Sequence, residues 1–382
     1  MTAFAERICE SPDVFDAERG ADVLASVRKA FDEDPGTTHA GKLLDQPRVA
    51  AFLTAVFSGS PFLAALSERN PDLLLSCLTE DPDPQLSKAG ADLEAGMAEV
   101  ASESDASVLL RGFKKRSALL TALADLGGVW TTAETLTGLS QAADISVQTA
   151  VRYLFRKAHE AGKLTSADTD GYFVIAMGKL GALELNYSSD VDLIVFYDPD
   201  RAHLTEGVEP SAFFVKLTRD LVRLLQEQTK DGYVYRTDLR LRPDPGATQI
   251  ALSTDAGLTY YESFGQNWER AALIKARVAA GEAALGEDFL DQLSPFIWRK
   301  YLDFAAVADI HAMKRRVHAF KGHGAIAVRG HDIKLGRGGI RDIEFFVQTQ
   351  QLIAGDTHYS RRSARTRTAR AAVRLRRHGC LR

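Results

Sequence analysis

Two carboxylates stand at the start of an apolar segment. Asp190 and Asp192 flank Val191 in a run that ends at Tyr197 and is typical of a buried strand. Because residues two apart on a strand share a face, these side chains point the same way, about 7 Å apart at roughly 3.3 Å rise per residue. Removing carboxylates from water without partners is costly. The pair therefore predicts a bound cation.

A third acid, Asp238, lies in a segment from Gly232 to Pro243 whose alternation predicts another strand. On that strand Asp238 shares a face with Arg236 and Arg240, so simple ion pairing is one interpretation. If the strand lies beside the one that starts at Val191, three carboxylates converge instead. Such hard oxygen ligands suit Mg²⁺, or Mn²⁺, and metals held this way support phosphoryl or nucleotidyl transfer.

A glycine-bearing loop, "MGKLGALELNYSS", precedes the carboxylate pair. Gly178 allows the backbone to approach an anion, and Lys179 supplies a positive charge. Ser188 and Ser189 offer hydroxyls directly before Asp190. The spacing matches neither a P-loop nor a dinucleotide-binding fingerprint. The loop is thus predicted to contact a nucleotide, and an ordinary strand–turn–helix connection is the alternative.

Further cations could bind phosphate groups. Near the third acid these are Arg240 and Arg242; before a helix predicted to begin near Ile340, they are Lys334, Arg337 and Arg341. A third set, in the segment "WERAALIKAR", comprises Arg270, Lys275 and Arg277. This set and the one before Ile340 either bind phosphate or cover an acidic body. A basic stripe on a predicted helix is either a solvated face or a phosphate contact; its members are Arg111, Lys114, Lys115 and Arg116.

The elements that must position these residues change in character along the chain. The first 165 or so residues have helical periodicity, with a break at Gly59–Pro61. Short segments rich in β-branched and aromatic residues then predict strands at 171–178, 191–197 and 232–243, and helices resume from Ser253 to about Ala354. The sequence therefore predicts an α+β fold, a mostly helical chain around a small mixed sheet.

Charge and cysteine content restrict the function classes. Residues 356–382 carry a balance of +8, which leaves −12 for residues 1–355 out of the total of −4. An acidic body disfavours a nucleic-acid partner. No apolar run reaches the 18 to 20 residues that a membrane span needs, and no signal peptide is visible. Three scattered cysteines form no disulfide framework, so we expect a cytoplasmic location and no membrane partner.

Four segments together resemble a known family. "MGKLGALELNYSSDVDLIVFYD", "YRTDLRLRP", "YYESFGQNWERAALIKAR" and "DIKLGRGGIRDIEFFVQ" are similar to successive motifs of bacterial glutamine synthetase adenylyltransferase. The match is collinear from about Phe52 to Gly355. The resemblance implies a DNA polymerase β-like nucleotidyltransferase domain. It assigns Asp190, Asp192 and Asp238 to the metal site and to catalysis.

The resemblance also implies a reaction and its partners. Members of the family carry two catalytic units, and the wording "ELNYSSD" is similar to the amino-terminal one, which removes AMP from an adenylylated tyrosine of glutamine synthetase, using phosphate and releasing ADP. Glutamine synthetase and the PII signalling protein are then the expected partners. This chain resembles a truncated amino-terminal half, so an inactive remnant that only binds those partners is the alternative. A related enzyme acting on RNA or a small molecule is a third hypothesis.

We therefore expect four parts along the chain. They are an amino-terminal helical region (1–165), a nucleotidyltransferase-like catalytic domain (166–282), a helical domain (283–355) and an arginine-rich tail that is disordered (356–382).

Overall fold

The computed structural model describes residues 2–33, 40–298 and 330–354. These residues are mostly helical with a small mixed sheet, so the predicted α+β class is confirmed. The chain divides into two compact units. The first consists of Met1–Tyr153, Leu185–Ser189 and Leu224–Tyr235; the second consists of Leu154–Glu184, Asp190–Arg223 and Arg236–Arg382. The four-part division stays a prediction, and the arginine-rich tail lies outside the described residues.

Helices build the first unit. In chain order they are α1 (Phe4–Arg7), α2 (Ala17–Glu33), α3 (Ala40–Leu44), α4 (Pro47–Gly59), α5 (Pro61–Arg69), α6 (Pro71–Thr79), α7 (Pro82–Glu99), α8 (Glu103–Leu126) and α9 (Thr132–Glu160), of which the last turns, after Tyr153, belong to the second unit.

Proline sets where four of these helices begin. Pro47, Pro61, Pro71 and Pro82 each occupy the first turn, where the missing N–H costs nothing and the fixed φ suits a helix. Ser60 caps α5 by accepting a hydrogen bond from the backbone N–H of Leu63. The break predicted at Gly59–Pro61 is therefore confirmed.

Among the described residues, no single helix is long and apolar enough to cross a membrane. Helices α4 and α5 meet the length and composition criteria only as a pair, across a bend of 118°.

A mixed sheet organises the second unit. Its strands are β1 (Tyr172–Ala176), β2 (Val191–Tyr197), β3 (Thr237–Asp238), β4 (Leu252–Ser253) and β5 (Arg277–Gly281). They follow the order β3-β2-β1-β5, with β4 also paired to β2. Strands β1 and β2 are antiparallel, whereas β3 and β4 each run parallel to β2. The first two predicted strands are confirmed, because apolar β-branched and aromatic residues suit a sheet buried on both faces.

Helices cover this sheet. They are α10 (Gly178–Gly181), α11 (Pro210–Gln226), α12 (Thr254–Ser263), α13 (Asn267–Leu273), α14 (Ala283–Gln292), α15 (Ser294–Ile297) and α16 (Ile340–Ala354). On one face Phe289 packs on Phe196, with ring centroids 4.4 Å apart. On the other, Phe214 stacks on Tyr197 at 4.6 Å. The helix predicted to begin near Ile340 is confirmed.

The third predicted strand is mostly wrong. Only Thr237 and Asp238 pair with β2, although Gly232 to Pro243 alternates throughout. The strand ends there because the Asp238 carboxylate accepts the backbone N–H of Arg240 at 2.8 Å, which turns the chain. Arg240 consequently does not continue a strand face with Asp238.

The prediction that residues from Ser253 to about Ala354 form only helices is also wrong. Residues Arg277–Gly281 form β5 and pair antiparallel with β1. The sequence "RVAAG" is poor in strand-forming residues. Pairing with the neighbouring strand, rather than local preference, makes it a strand.

Candidate active site

The carboxylate pair lies at the beginning of β2. Asp190 is exposed and directly precedes the strand, and Asp192, its second residue, is partly buried. The backbone on both sides is held, because the N–H of Val191 donates to the carbonyl of Arg236 and the N–H of Met177 donates to the carbonyl of Asp192, each at 2.9 Å. A paired strand therefore fixes the position of these two acids.

Asp238 comes to the same place from β3. It is the direct partner of Asp192 in the parallel pairing of β2 with β3. Neighbouring strands lie about 4.8 Å apart. The expectation that the third segment lies beside the second at this point is confirmed, even though the strand is only two residues long.

The three carboxylates act on one another electrostatically. The pKa of Asp192 is raised to about 6, first because burial disfavours its charged form and then because Asp190 and Asp238 add negative charge nearby. The positive charges of Arg240 and Lys334 partly offset this effect. Uncompensated negative charge at Asp192 is what a cation would neutralise.

Arg240 holds Asp238 directly. Its Nε lies 3.0 and 2.9 Å from the two carboxylate oxygens, and this hydrogen bonding lowers the pKa of Asp238. Within the described ranges, no group of three acidic, histidine or cysteine side chains is arranged to hold a metal ion. The donor set is chemically suited to a hard divalent cation, but Asp238 would have to exchange its arginine partner for the metal.

Gly178 borders Asp192. Its φ is +54°, and a Cβ added there would stand 2.6 Å from Oδ2 of Asp192. The close approach expected of this glycine is therefore to a carboxylate of the protein. Lys179 follows it in α10, where its carbonyl accepts the N–H of Glu184 at 2.8 Å.

One of the predicted phosphate ligands, Arg242, is bound to the protein itself, and the phosphate roles of the others stay predictions. Arg242 donates to four backbone carbonyls between Leu239 and Gln249, so its guanidinium ties a loop together. Arg341 lies over the ring of Phe345 at 5.9 Å, and the carbonyl of Arg337 contacts the His331 ring. In the loop before Ile340, the positive charge of Lys334 lowers the pKa of Asp192.

Ser188 and Ser189 belong to the first unit. Ser188 has a positive φ of 56°, and the hydroxyl of Ser189 donates to the amide oxygen of Asn186. Both line a cavity of that unit. Their assignment to the nucleotide stays a prediction.

Similarity to known proteins identifies the family of this chain. Residues 50–292 match the family model described as glutamate-ammonia ligase adenylyltransferase. The chain belongs to this adenylyltransferase family.

Individual relatives agree with that assignment. The chain is 50% identical over 347 residues to the bifunctional glutamine synthetase adenylyltransferase/adenylyl-removing enzyme of Mesorhizobium japonicum, covering 89% of this chain and 35% of that protein. It is 48% identical over 370 residues to the enzyme of the same name from Xanthobacter autotrophicus, covering 95% and 37%. The chain thus spans about a third of the length of these relatives.

A second family model matches the chain farther on. Residues 308–382 match the model described as GlnD PII-uridylyltransferase. Of this range the structure describes residues 330–354, which contain the loop with Lys334 and helix α16. The arginine-rich tail falls inside the same match.

The cations of "WERAALIKAR" contact other parts of the second unit. Arg270 is 2% exposed and donates to the carbonyl of Phe296 at 3.0 Å. Arg277 donates to the carbonyl of Leu180 at 3.0 Å. These partners favour the structural interpretation of the set over phosphate binding.

The role of Lys275 was not predicted from the sequence. Its ammonium lies 3.0 Å from Glu344 and 3.8 Å from Glu184, and the residue is 8% exposed. It joins α16 to the loop that precedes the carboxylate pair. Lys275, Glu184 and Glu344 are far apart in the chain, so no local sequence pattern predicts this contact.

Proposed function

We propose that the chain catalyses metal-dependent removal of AMP from an adenylylated tyrosine of glutamine synthetase by phosphorolysis. The observation that carries this proposal is the pairing of Asp192 with Asp238 beside Asp190, in a family whose members act as adenylyltransferases. The names of the relatives include an adenylyl-removing activity. The wording "ELNYSSD" before Asp190 resembles the amino-terminal unit of such enzymes, which is our reason for choosing removal over transfer.

The reaction balances without a further reactant. An oxygen of inorganic phosphate attacks the phosphorus of the AMP–tyrosine bond, the bond to the tyrosine oxygen breaks, and that oxygen takes up a proton. The products are ADP and unmodified glutamine synthetase. Mg²⁺, or Mn²⁺, supplies charge stabilisation at the attacking and leaving oxygens when bound.

In this proposal different residues bind the cation and the anionic groups. Asp190, Asp192 and Asp238 hold the cation, and Gly178 leaves room for the carboxylate of Asp192. Lys334, and Arg240 once released from Asp238, attract the phosphate and nucleotide anions. We assign the sheet to the DNA polymerase β-like nucleotidyltransferase fold and the reaction to the cytoplasm, with the PII protein as a regulatory partner.

A second candidate function is binding of glutamine synthetase or the PII protein without catalysis. The hydrogen bonds from Arg240 to Asp238 favour this binding-only function, because a carboxylate whose two oxygens both accept from arginine is not free to bind a metal.

Incubation with adenylylated glutamine synthetase and Mg²⁺, with and without phosphate, tests the proposal. We expect ADP, formed only when phosphate is present, and no release by Asp190→Asn. AMP released at the same rate in phosphate-free buffer would mean hydrolysis instead. Release of neither nucleotide, with retained binding of glutamine synthetase, would support the binding-only function.

A further inference from the structure

A large cavity lies wholly within the first unit. It has a volume of about 900 Å³ and is lined by residues of α5 and α8, of the segment 185–189 and of the segment 228–235. Small-molecule sites in proteins have volumes of roughly 300 to 1,000 Å³. The cavity is therefore large enough for a ligand of nucleotide size.

The charges that line this cavity favour an anion. Its cationic residues outnumber its acidic ones by five to two; they are Arg69, Arg111, Lys114, Lys115 and Lys230, against Asp125 and Asp231. One pair is internally balanced, since Lys115 lies 2.9 Å from Asp231. The excess of positive charge remains with the other residues.

Two of these cations, Arg111 and Lys114, make their direct contacts with uncharged groups of the protein. Arg111 is 1% exposed, so the interpretation of the basic stripe as a solvated face is wrong for it. Its guanidinium donates to neutral acceptors, among them the carbonyl of Gly232 at 2.7 Å and that of Glu227. These contacts satisfy its hydrogen bonds, while burial lowers its pKa and the negative charges of Glu227 and Asp231 offset only part of that effect.

Lys114 is the second of them. Its Nζ lies 3.8 Å from the centroid of the Tyr235 ring, and among the described residues no ion pair joins it to an acid. Burial lowers its pKa to about 8, without a compensating negative charge nearby. A lysine in this setting gains most from an anionic ligand.

The rest of the wall is apolar and aromatic. Leu63 and Leu185 are buried side chains of the lining, and Tyr187 presents a ring that is 47% exposed. The hydroxyl of Tyr187 donates to Asp125 at 3.0 Å, which holds the ring in one orientation. A fixed, accessible aromatic ring is a platform on which a nucleobase stacks.

We propose that this cavity is a binding site for a nucleoside phosphate, with the phosphate at Lys114 and Arg111 and the base against Tyr187. A phosphate monoester carries close to two negative charges at neutral pH, which matches the local excess of cations better than a single carboxylate does. The site lies in the first unit only and goes beyond the reaction proposed for the second.

Calorimetric titration of the full chain with AMP, in EDTA, tests this proposal. Lys114→Met keeps the aliphatic stem over Tyr235 and removes the charge, so it is expected to fold and to weaken AMP binding about tenfold, the loss of one charge-assisted hydrogen bond. Lys88→Met, at a lysine outside the cavity, is the matched control and should leave the affinity unchanged. Asp192→Asn should leave it unchanged too, which separates this site from the carboxylates.

A pair of substitutions at the tyrosine tests the place of the base. Tyr187→Ala should weaken AMP binding about tenfold, as expected for a lost stacking contact, whereas Tyr187→Phe keeps the ring and the affinity. The proposal is overturned if AMP does not bind, if Lys114→Met binds it as wild type does, or if inorganic phosphate alone binds as tightly as AMP. Failure of the adenylyl-removing assay leaves it unaffected.

Discussion

Replacing Asp192 by asparagine should stabilise the metal-free protein. The pKa of this carboxyl is about 6 in the folded chain, against 3.8 as its ordinary value. Each pH unit corresponds to 1.36 kcal/mol, so the full shift is worth at most about 3 kcal/mol. Because Asp192 is only partly buried, solvent screens the interaction, and we expect a gain of about 1–2 kcal/mol at pH 7.

The dependence on pH has a definite sign. The pKa of Asp192 is higher in the folded chain than in the unfolded one, so its protonation stabilises the folded state. This stabilisation is fully present below the ordinary pKa of 3.8 and is lost as the pH rises through about 6. The difference in free energy of unfolding between Asp192→Asn and wild type should therefore vanish near pH 4 and reach its full value above pH 6. Urea unfolding in EDTA across this range measures it.

Added Mg²⁺ should reverse the order of stability. A ligand at 100 times its dissociation constant stabilises the folded state by about 2.7 kcal/mol. Wild type should gain this amount, and Asp192→Asn should gain little. Glu206→Gln, at an exposed carboxylate of the same unit, controls for the loss of one charge. Destabilisation by Asp192→Asn at pH 7 in EDTA, or an equal response of both proteins to Mg²⁺, would refute the reasoning.

Three further predictions concern single side chains, each checked by urea unfolding. Gly178→Ala should cost more than Gly207→Ala, because both impose about 1–2 kcal/mol of positive-φ strain but only the first drives a Cβ against a carboxylate. Lys275→Met should cost about 1–3 kcal/mol by removing a largely buried ammonium from beside Glu184 and Glu344. Lys216→Met, in an exposed i,i+4 pair, should cost under about 0.5 kcal/mol. Lys114 has a lowered pKa, so stability should rise between pH 8 and 10.5 in wild type and rise less in Lys114→Met. Equal costs for either matched pair, or identical pH profiles in the last comparison, would contradict these expectations.

Local patterns in the sequence were sufficient for the main elements. The apolar segments at β1 and β2 formed strands, and proline and glycine marked the break between α4 and α5. The carboxylate pair at Asp190 and Asp192 could be found because its members are two residues apart on one strand. Such features depend on backbone preference and side-chain periodicity, which a short stretch of sequence contains.

Contacts between distant segments decided the rest. Strand β5 exists because β1 offers it a partner, although its own residues favour no strand. The alternating segment around Asp238 formed only a two-residue strand, because a hydrogen bond from Arg240 turned the chain. Lys275 became a link between two glutamates only when α16 packed nearby.

By itself, the sequence determined the family, the α+β class and the identity of the three candidate metal ligands. Only the tertiary structure decided which charged residues are exposed and which are partners of the fold. The basic stripe on α8 shows why: helical periodicity cannot tell a solvated face from one covered by the segment 228–235, since burial depends on chain far away in sequence. Arg111 and Lys114 face that segment, and their positive charge lines a cavity instead of meeting bulk solvent.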